Sequence, residues 1–146
     1  MSLDIDFYVL EAGAQKSLHF SCRLIEKAYE NQKRIFIHTN SREEADQIDS
    51  LLWTYKDDSF LAHHFYDPEI KHPALIQIGV DQEPVHAGDV LINFQQTVPG
   101  FYQKFQQVIE IVYTDPLVQQ WARMRYKQYR DLGHDIHTYK LKANEI

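Results

Sequence analysis

Short apolar runs alternate with segments of helical periodicity along this chain, and that alternation leaves few folds open to it. Asp6-Phe-Tyr-Val-Leu10, Arg34-Ile-Phe-Ile-His38, Ala74-Leu-Ile-Gln-Ile78, Asp89-Val-Leu-Ile-Asn-Phe94 and Val108-Ile-Glu-Ile-Val-Tyr113 each read as strands. Runs so apolar need cover on both faces, as strands of a parallel sheet do. From Gln15 to Asn31, Leu18, Cys22, Ile25 and Tyr29 recur at helical spacing, with Ala28 beside them. Thr39-Asn-Ser41 offers an N-cap for a second helix reaching about Tyr55, with Glu43 and Glu44 near the positive end of its dipole. That helix turns Ala45, Ile48 and Leu52 inward, with Leu51 beside them.

Residues 65–73, with two prolines, and 81–88 read as loops. Pro99 and Gly100 open a short helical piece through Phe105. Asp115 and Pro116 supply the N-cap and first position of a last long helix, which Gly133 can end after about Leu132. The alternating tail from Ile136 to Leu141 is a candidate edge strand. The expectation is one domain over residues 1–146: a three-layer α/β/α sandwich around a mostly parallel, Rossmann-like sheet of about five or more strands.

Composition narrows the function classes. No apolar run approaches the ~18 residues of a membrane span. The start, MSLDIDFYVL, carries two acids and no basic region, unlike a secretory signal. Cys22 is alone, which leaves no disulfide framework and no sulfur-based zinc cluster. Together these points suggest the cytoplasm. The net charge of −6 is unevenly spread: residues 117–146 hold six of the fifteen Lys/Arg and three of the twenty-one Asp/Glu. The rest therefore carries nine bases against eighteen acids, −9 against +3, which suggests a localised anion site. It does not suggest a protein that coats duplex DNA, whose phosphates the acidic remainder would repel.

The sequence gives no positive argument for an enzyme. Gly13, Gly79, Gly88, Gly100 and Gly133 form no GxGxxG or Walker pattern, and Glu11-Ala-Gly-Ala14 is a poor phosphate cradle. His63, His64 and His72 lie near Asp67 and Glu69, yet no pair has the i, i+4 spacing of a helical metal site; loop and surface histidines are the simpler reading. Asp4, Asp6, Glu11, Asp89 and Glu110 lie on or beside strands as possible ligands of a divalent cation, although Asp4 and Asp6 stand at the wrong end of theirs. Cys22 falls on an apolar helix face, as a core residue rather than a nucleophile.

Two surfaces stand out. In Trp121-Ala-Arg-Met-Arg-Tyr-Lys-Gln-Tyr-Arg130, four bases and three aromatics gather without an acid. With Trp121 at zero and about 100° per residue, Leu117, Val118, Trp121, Met124 and Leu132 form the predicted core face. Arg123, Tyr126, Lys127 and Arg130 fall on the opposite, exposed side, and Arg125 sits inside the apolar stripe as a buried or snorkelling ion pair. A merely solvated helix would mix signs to gain i, i+4 pairs, and this one does not. A short anionic peptide, a terminal carboxylate or a few phosphates are its natural ligands. Trp53, Tyr55 and Phe60 flank the polar turn Lys56-Asp-Asp-Ser59, either as a lid on the core or as an aromatic anchor for a protein partner.

In series, Phe7-Tyr-Val-Leu10, Arg34-Ile-Phe-Ile-His38, Glu44-Ala45 with Leu52-Trp53, Asp58-Ser-Phe60, Val90-Leu-Ile-Asn93, Glu110-Ile-Val112 and Ala122-Arg-Met-Arg-Tyr-Lys-Gln-Tyr-Arg130 with Gly133 resemble the chi subunit family of bacterial DNA polymerase III. Residues 65–87 contribute nothing to the match. The resemblance implies a non-catalytic clamp-loader accessory subunit without a cofactor. It implies that one face captures the acidic, hydrophobic-ended C-terminal tail of single-stranded-DNA-binding protein, so that DNA is contacted indirectly. Arg123 and Lys127 match the family's basic pair and Tyr126 the aromatic beside them, while Arg130 extends the field. Trp53 and Phe60 match the aromatics that pack against the psi subunit. The competing readings are a nucleotide-binding or metal-dependent hydrolytic enzyme and a direct single-strand binder, since a basic helix with aromatics can also track a backbone.

Overall fold

The computed structural model describes residues 3–58 and 60–146, so Ser59 of the Asp58-Ser-Phe60 match lies outside it, with Met1 and Ser2. Seven strands and three helices follow in the order β1 (Asp4–Leu10), α1 (Ala14–Glu30), β2 (Ile35–Thr39), α2 (Arg42–Thr54), β3 (His63–Phe65), β4 (Ile76–Val80), β5 (Gly88–Asn93), β6 (Phe105–Val112), α3 (Pro116–Asp131) and β7 (Ile136–Leu141). Short 3-10 turns precede β6 at Tyr102–Lys104 and follow β7 at Ala143–Glu145. One sheet runs β3-β4-β2-β5-β6-β1-β7, and every pairing in it is parallel.

The sheet separates two cores. On one face α1 and α2 bury Phe20, Cys22, Ile25, Ala45, Ile48 and Leu52 against Ile35 and Ile37 of β2, Ile76 and Ile78 of β4, and Ile109 and Ile111 of β6. On the other, α3 and the segment before β6 bury Ala122, Tyr129, Phe101, Tyr102 and Phe105 against Ile5, Phe7, Phe36, Leu91 and Val108. Alternate residues of the same strands supply the two faces, as the two-residue period of a strand demands. This is the three-layer α/β sandwich that the sequence predicts.

Each helix begins where its chemistry allows. Ser41 caps α2 by accepting the Glu44 N–H, and Asp115 caps α3 by accepting from Leu117 and Val118 with Pro116 next in line. Gly133 closes α3 at φ +90, a left-handed angle that a side chain would resist. Buried Ser17 and Ser21 satisfy their hydroxyls on the carbonyls of Ala14 and Ser17 within α1. The Cys22 thiol beside them is buried and pushed up to about 12, chiefly by burial and then by Glu26, which fits its core position.

Three details differ from the sequence reading. β6 starts at Phe105, so the helical piece before it ends one residue sooner. His63 and His64 belong to a short edge strand, β3, that their polarity hides. His64 accepts the Ala74 N–H on Nε2 at 3.0 Å and is half-buried; His63 is fully buried, so neither is a loose surface histidine. The third is the roll of α3, described below.

Gly79 in β4 marks a close approach. A Cβ there would stand 2.3 Å from Cζ of Phe36, whose ring fills the space beside it. Gly79→Ala is expected to cost about 1–3 kcal/mol by overpacking. Adding Phe36→Leu should return part of that loss, measured as the midpoint of urea unfolding.

Candidate functional site: the basic face of the last helix

The roll of α3 about its axis decides what it presents. Ala122, Arg125 and Tyr129 face the sheet, whereas Leu117, Met124 and Leu132 are 50%, 64% and 55% exposed. The apolar stripe read from the sequence is therefore corrected: the buried face is centred about 70° away from Trp121. Leu117, Met124 and Leu132 lie outward with Trp121 half-buried at their edge. Hydrophobicity alone favours the wrong stripe because the strongest contacts beneath this helix are polar.

Those contacts centre on Glu110, a fully buried carboxylate in the middle of β6. Arg125 donates from Nε to Oε1 at 2.9 Å and from Nη1 to the Gln96 carbonyl at 3.0 Å. The Tyr129 hydroxyl donates to Oε2 at 2.7 Å, and the Asn93 amide to the same oxygen at 3.0 Å. Burial pushes the Glu110 carboxyl up, while the Arg125 charge and the donated hydrogen bonds oppose that rise. Every group aimed at it is a donor, the arrangement an ionised carboxylate requires. Burial and the adjacent Glu110 push the Tyr129 phenol upward, which keeps it a donor. The expectation of a buried ion pair at Arg125 holds, and Glu110 is its partner.

With Arg125 spent on Glu110, the outward cations are Arg123, Lys127 and Arg130. Arg130 approaches Asp131 at 3.8 Å, whereas Arg123 and Lys127 form no ion pair among the described residues. Tyr126 is 36% exposed, with its ring edge-on to Phe7 of β1 at 5.4 Å. It lies at the seam between helix and sheet rather than on the crest of the helix. Thr138 and Lys140 of edge strand β7 are register partners of Phe7 and Val9, so they share the face on which Tyr126 rests. The result is a cationic strip with an aromatic side wall and a second lysine on the strand beside it. Thr138 and Lys140 escaped the sequence reading because only the β1–β7 register brings them here.

The second predicted surface is on the other side of the sheet, at the end of α2. Trp53 is 48% and Phe60 70% exposed, with ring centroids 5.6 Å apart. Tyr55 is not part of the patch; its hydroxyl is bonded to Glu26, which Lys56 also reaches at 3.4 Å. The two predicted sites are thus separate surfaces on opposite faces.

Other candidate chemistry disperses. Asp6 accepts from Gln107 at 2.7 Å and lies 3.2 Å from His137, Asp89 accepts the Arg34 N–H, and Glu110 is committed to α3. His38 is buried against Phe101 with Nδ1 unpartnered among the described residues, and burial holds it below the usual histidine range. A cleft of about 410 Å³ is lined by Arg34, Phe36, Tyr66, Pro68, Val85 and Phe105. It contains no residue of either predicted docking surface and opens at the amino ends of the strands, opposite to where such sheets place ligands.

The structure is an α/β/α sandwich with a charged helix face and an aromatic patch on opposite sides. The family model described as DNA polymerase III chi subunit, HolC, matches residues 3–137, and the chain belongs to that family. It is 29% identical over 138 residues to DNA polymerase III subunit chi of Pseudomonas aeruginosa, covering 94% of this chain and 96% of that one. The Haemophilus influenzae subunit chi is 29% identical over 140 residues, covering 94% and 97%. The Escherichia coli subunit is 26% identical over 118 residues, covering 80% of each. The fold is also similar to T4 UvsW, with a TM-score of 0.69 at 9% identity over 96% of this chain and 42% of that protein. That likeness concerns the fold alone. No described helix is long and apolar enough to cross a membrane.

The Glu110 network yields a stability test. Glu110→Gln leaves the Arg125 charge buried without a counter-charge and is expected to cost about 3–5 kcal/mol in urea unfolding. Glu110→Leu combined with Arg125→Met should be more stable than Glu110→Gln, because no charge is then stranded.

Proposed function

We propose that this chain is a non-catalytic, cytoplasmic accessory subunit of the DNA polymerase III holoenzyme that ties the clamp loader to single-stranded-DNA-binding protein. Its α3 face captures the acidic C-terminal tail of that protein, and Trp53 with Phe60 docks the psi subunit. The observation that carries the reading is the pair of exposed cations, Arg123 and Lys127, without an ion pair among the described residues, on a helix whose intervening arginine, Arg125, is withdrawn into the core. A tail carboxylate meets them without first breaking an internal ion pair. Exposed ion pairs of this kind contribute about 0.2–1 kcal/mol each, so they orient the tail more than they hold it. Apolar contact with Tyr126, whose ring is seated on the buried Phe7, supplies the remainder, and the affinity is moderate and salt-sensitive.

The rival single-strand binder predicts DNA binding without a partner protein. The rival enzyme predicts thermal stabilisation by nucleotide or Mg²⁺. Fluorescence anisotropy with a labelled peptide of the acidic tail separates the adaptor from both. Wild type should bind in the micromolar range, weaken as salt rises, and lose about two- to thirtyfold in Arg123→Ala/Lys127→Ala. Trp53→Ala should bind the peptide like wild type while failing to co-purify the psi subunit. No peptide binding by folded wild-type protein rejects the tail assignment.

A further inference from the structure

On its side of the sheet α3 packs on β6 and β7, and the strands beyond β5 are covered there by loops. Parallel strands are usually joined by a crossover helix. The connections 66–75, from β3 to β4, and 81–87, from β4 to β5, hold no helix among their described residues. The cleft of about 410 Å³ lies between these two loops. Its aromatic lining is Phe36, with Tyr66 edge-on at 5.6 Å and Phe105 at 6.2 Å. Two strand glycines make room for these rings: a Cβ at Gly79 would stand 2.3 Å from Phe36 Cζ, and one at Gly88 2.8 Å from Phe105 Cε1.

The walls are fastened. The Tyr66 hydroxyl accepts the Val85 N–H at 2.9 Å, which ties one loop to the other. Lys104 donates to the Pro84 carbonyl at 2.8 Å and pairs with Glu83 at 2.9 Å. The Leu75 carbonyl accepts the Ile35 N–H at 2.8 Å. A cavity of this size, mostly apolar and already formed, is the kind that holds a small molecule.

The charged and titratable groups lining the cleft are Arg34, Asp67, Lys71 and His86, all exposed. Asp67 is engaged by its own turn, where Oδ1 accepts the Glu69 N–H at 2.9 Å. The Arg34 backbone is anchored through its N–H to Asp89 at 2.8 Å. The side chains of Arg34 and Lys71 form no ion pair among the described residues.

We propose that this cleft is a binding site for a small carboxylate with a flat apolar body, seated on Phe36, Tyr66 and Phe105 with its charge toward Arg34 and Lys71. A guanidinium fork suits a carboxylate, and the ammonium adds a second positive charge. A nucleotide fits less well. Apart from Gln77 and the Tyr66 hydroxyl, the uncharged lining side chains are apolar, so the edges of a base and sugar would face carbon. The site is separate from both docking surfaces and does not depend on either.

The probe is 2-naphthoate, with neutral 2-naphthalenemethanol as its uncharged counterpart, each titrated into ¹⁵N-labelled protein. Naphthoate should bind at one site with a Kd of about 0.1–1 mM and shift the amides of residues 66–71 and 85–88. Replacing it by the alcohol, or using Arg34→Ala/Lys71→Ala, should each weaken binding about two- to thirtyfold. The alcohol should be indifferent to the double substitution, because the cations then have no charge to meet. Both residues are exposed, so the midpoint of urea unfolding should stay at the wild-type value.

No saturable shift by about 10 mM naphthoate, tenfold above that range, overturns the proposal. So do shifts confined to α3 or to the Trp53–Phe60 patch, and so does equal affinity for alcohol and acid. Arg34→Ala/Lys71→Ala should bind the acidic tail peptide like wild type. Displacement of naphthoate by that peptide would give the cleft to the tail and overturn the small-molecule assignment.

Discussion

One buried ion pair sets the orientation of α3, and with it everything that the helix offers to solvent. Arg125 and Glu110 meet at 2.9 Å where the carboxylate is fully buried and the guanidinium nearly so. Tyr129 and Asn93 complete the carboxylate's hydrogen bonds. A pair so buried gives little net stability compared with an apolar substitute, yet breaking it by halves is costly. Its consequence is orientational. A helix that must bring Arg125 and Tyr129 to Glu110 cannot roll to bury Met124 or Leu117, and it must turn Arg123 and Lys127 outward. The small Ala122, also buried on this face, completes the contact with the sheet.

The architecture is legible in the sequence because its strands are apolar on both faces, and because Ser41, Asp115 and Gly133 mark helix ends by local chemistry. β3 is not, since His63-His64-Phe65 carries no strand pattern and depends on pairing with β4. The roll of α3 is only half legible. Arg125 within the apolar stripe signals a buried partner, and Glu110 inside Val108-Ile-Glu-Ile-Val112 is the matching signal on a strand. Joining the two requires the fold. Of the candidate site residues, Arg123, Lys127 and Arg130 are exposed as expected. Tyr126 is partly withdrawn against Phe7, and the seat of Trp53 on His63 comes from tertiary contacts that no local spacing reveals.

The two surfaces differ in kind. The α3 strip is a field of long, mobile cations set on a protein of net charge −6. It favours a partner that is acidic and extended, and its strength depends on ionic conditions. The Trp53–Phe60 patch is built from two large rings, one of them fixed from below. Such patches bind by burying area, and they suit a longer-lived contact. In the function we propose, the aromatic patch holds one partner steadily while the α3 strip grips and releases another.

Whether α3 is the tail site can be read from a map of amide shift changes as the acidic tail peptide is titrated into ¹⁵N-labelled protein. Changes concentrated at Arg123, Tyr126, Lys127 and Arg130 and on Thr138 and Lys140 of β7, with the amides around Trp53 and Phe60 silent, are expected. Changes centred on the Trp53–Phe60 patch or on the cleft beside Arg34, with α3 unmoved, would contradict α3 as the tail site.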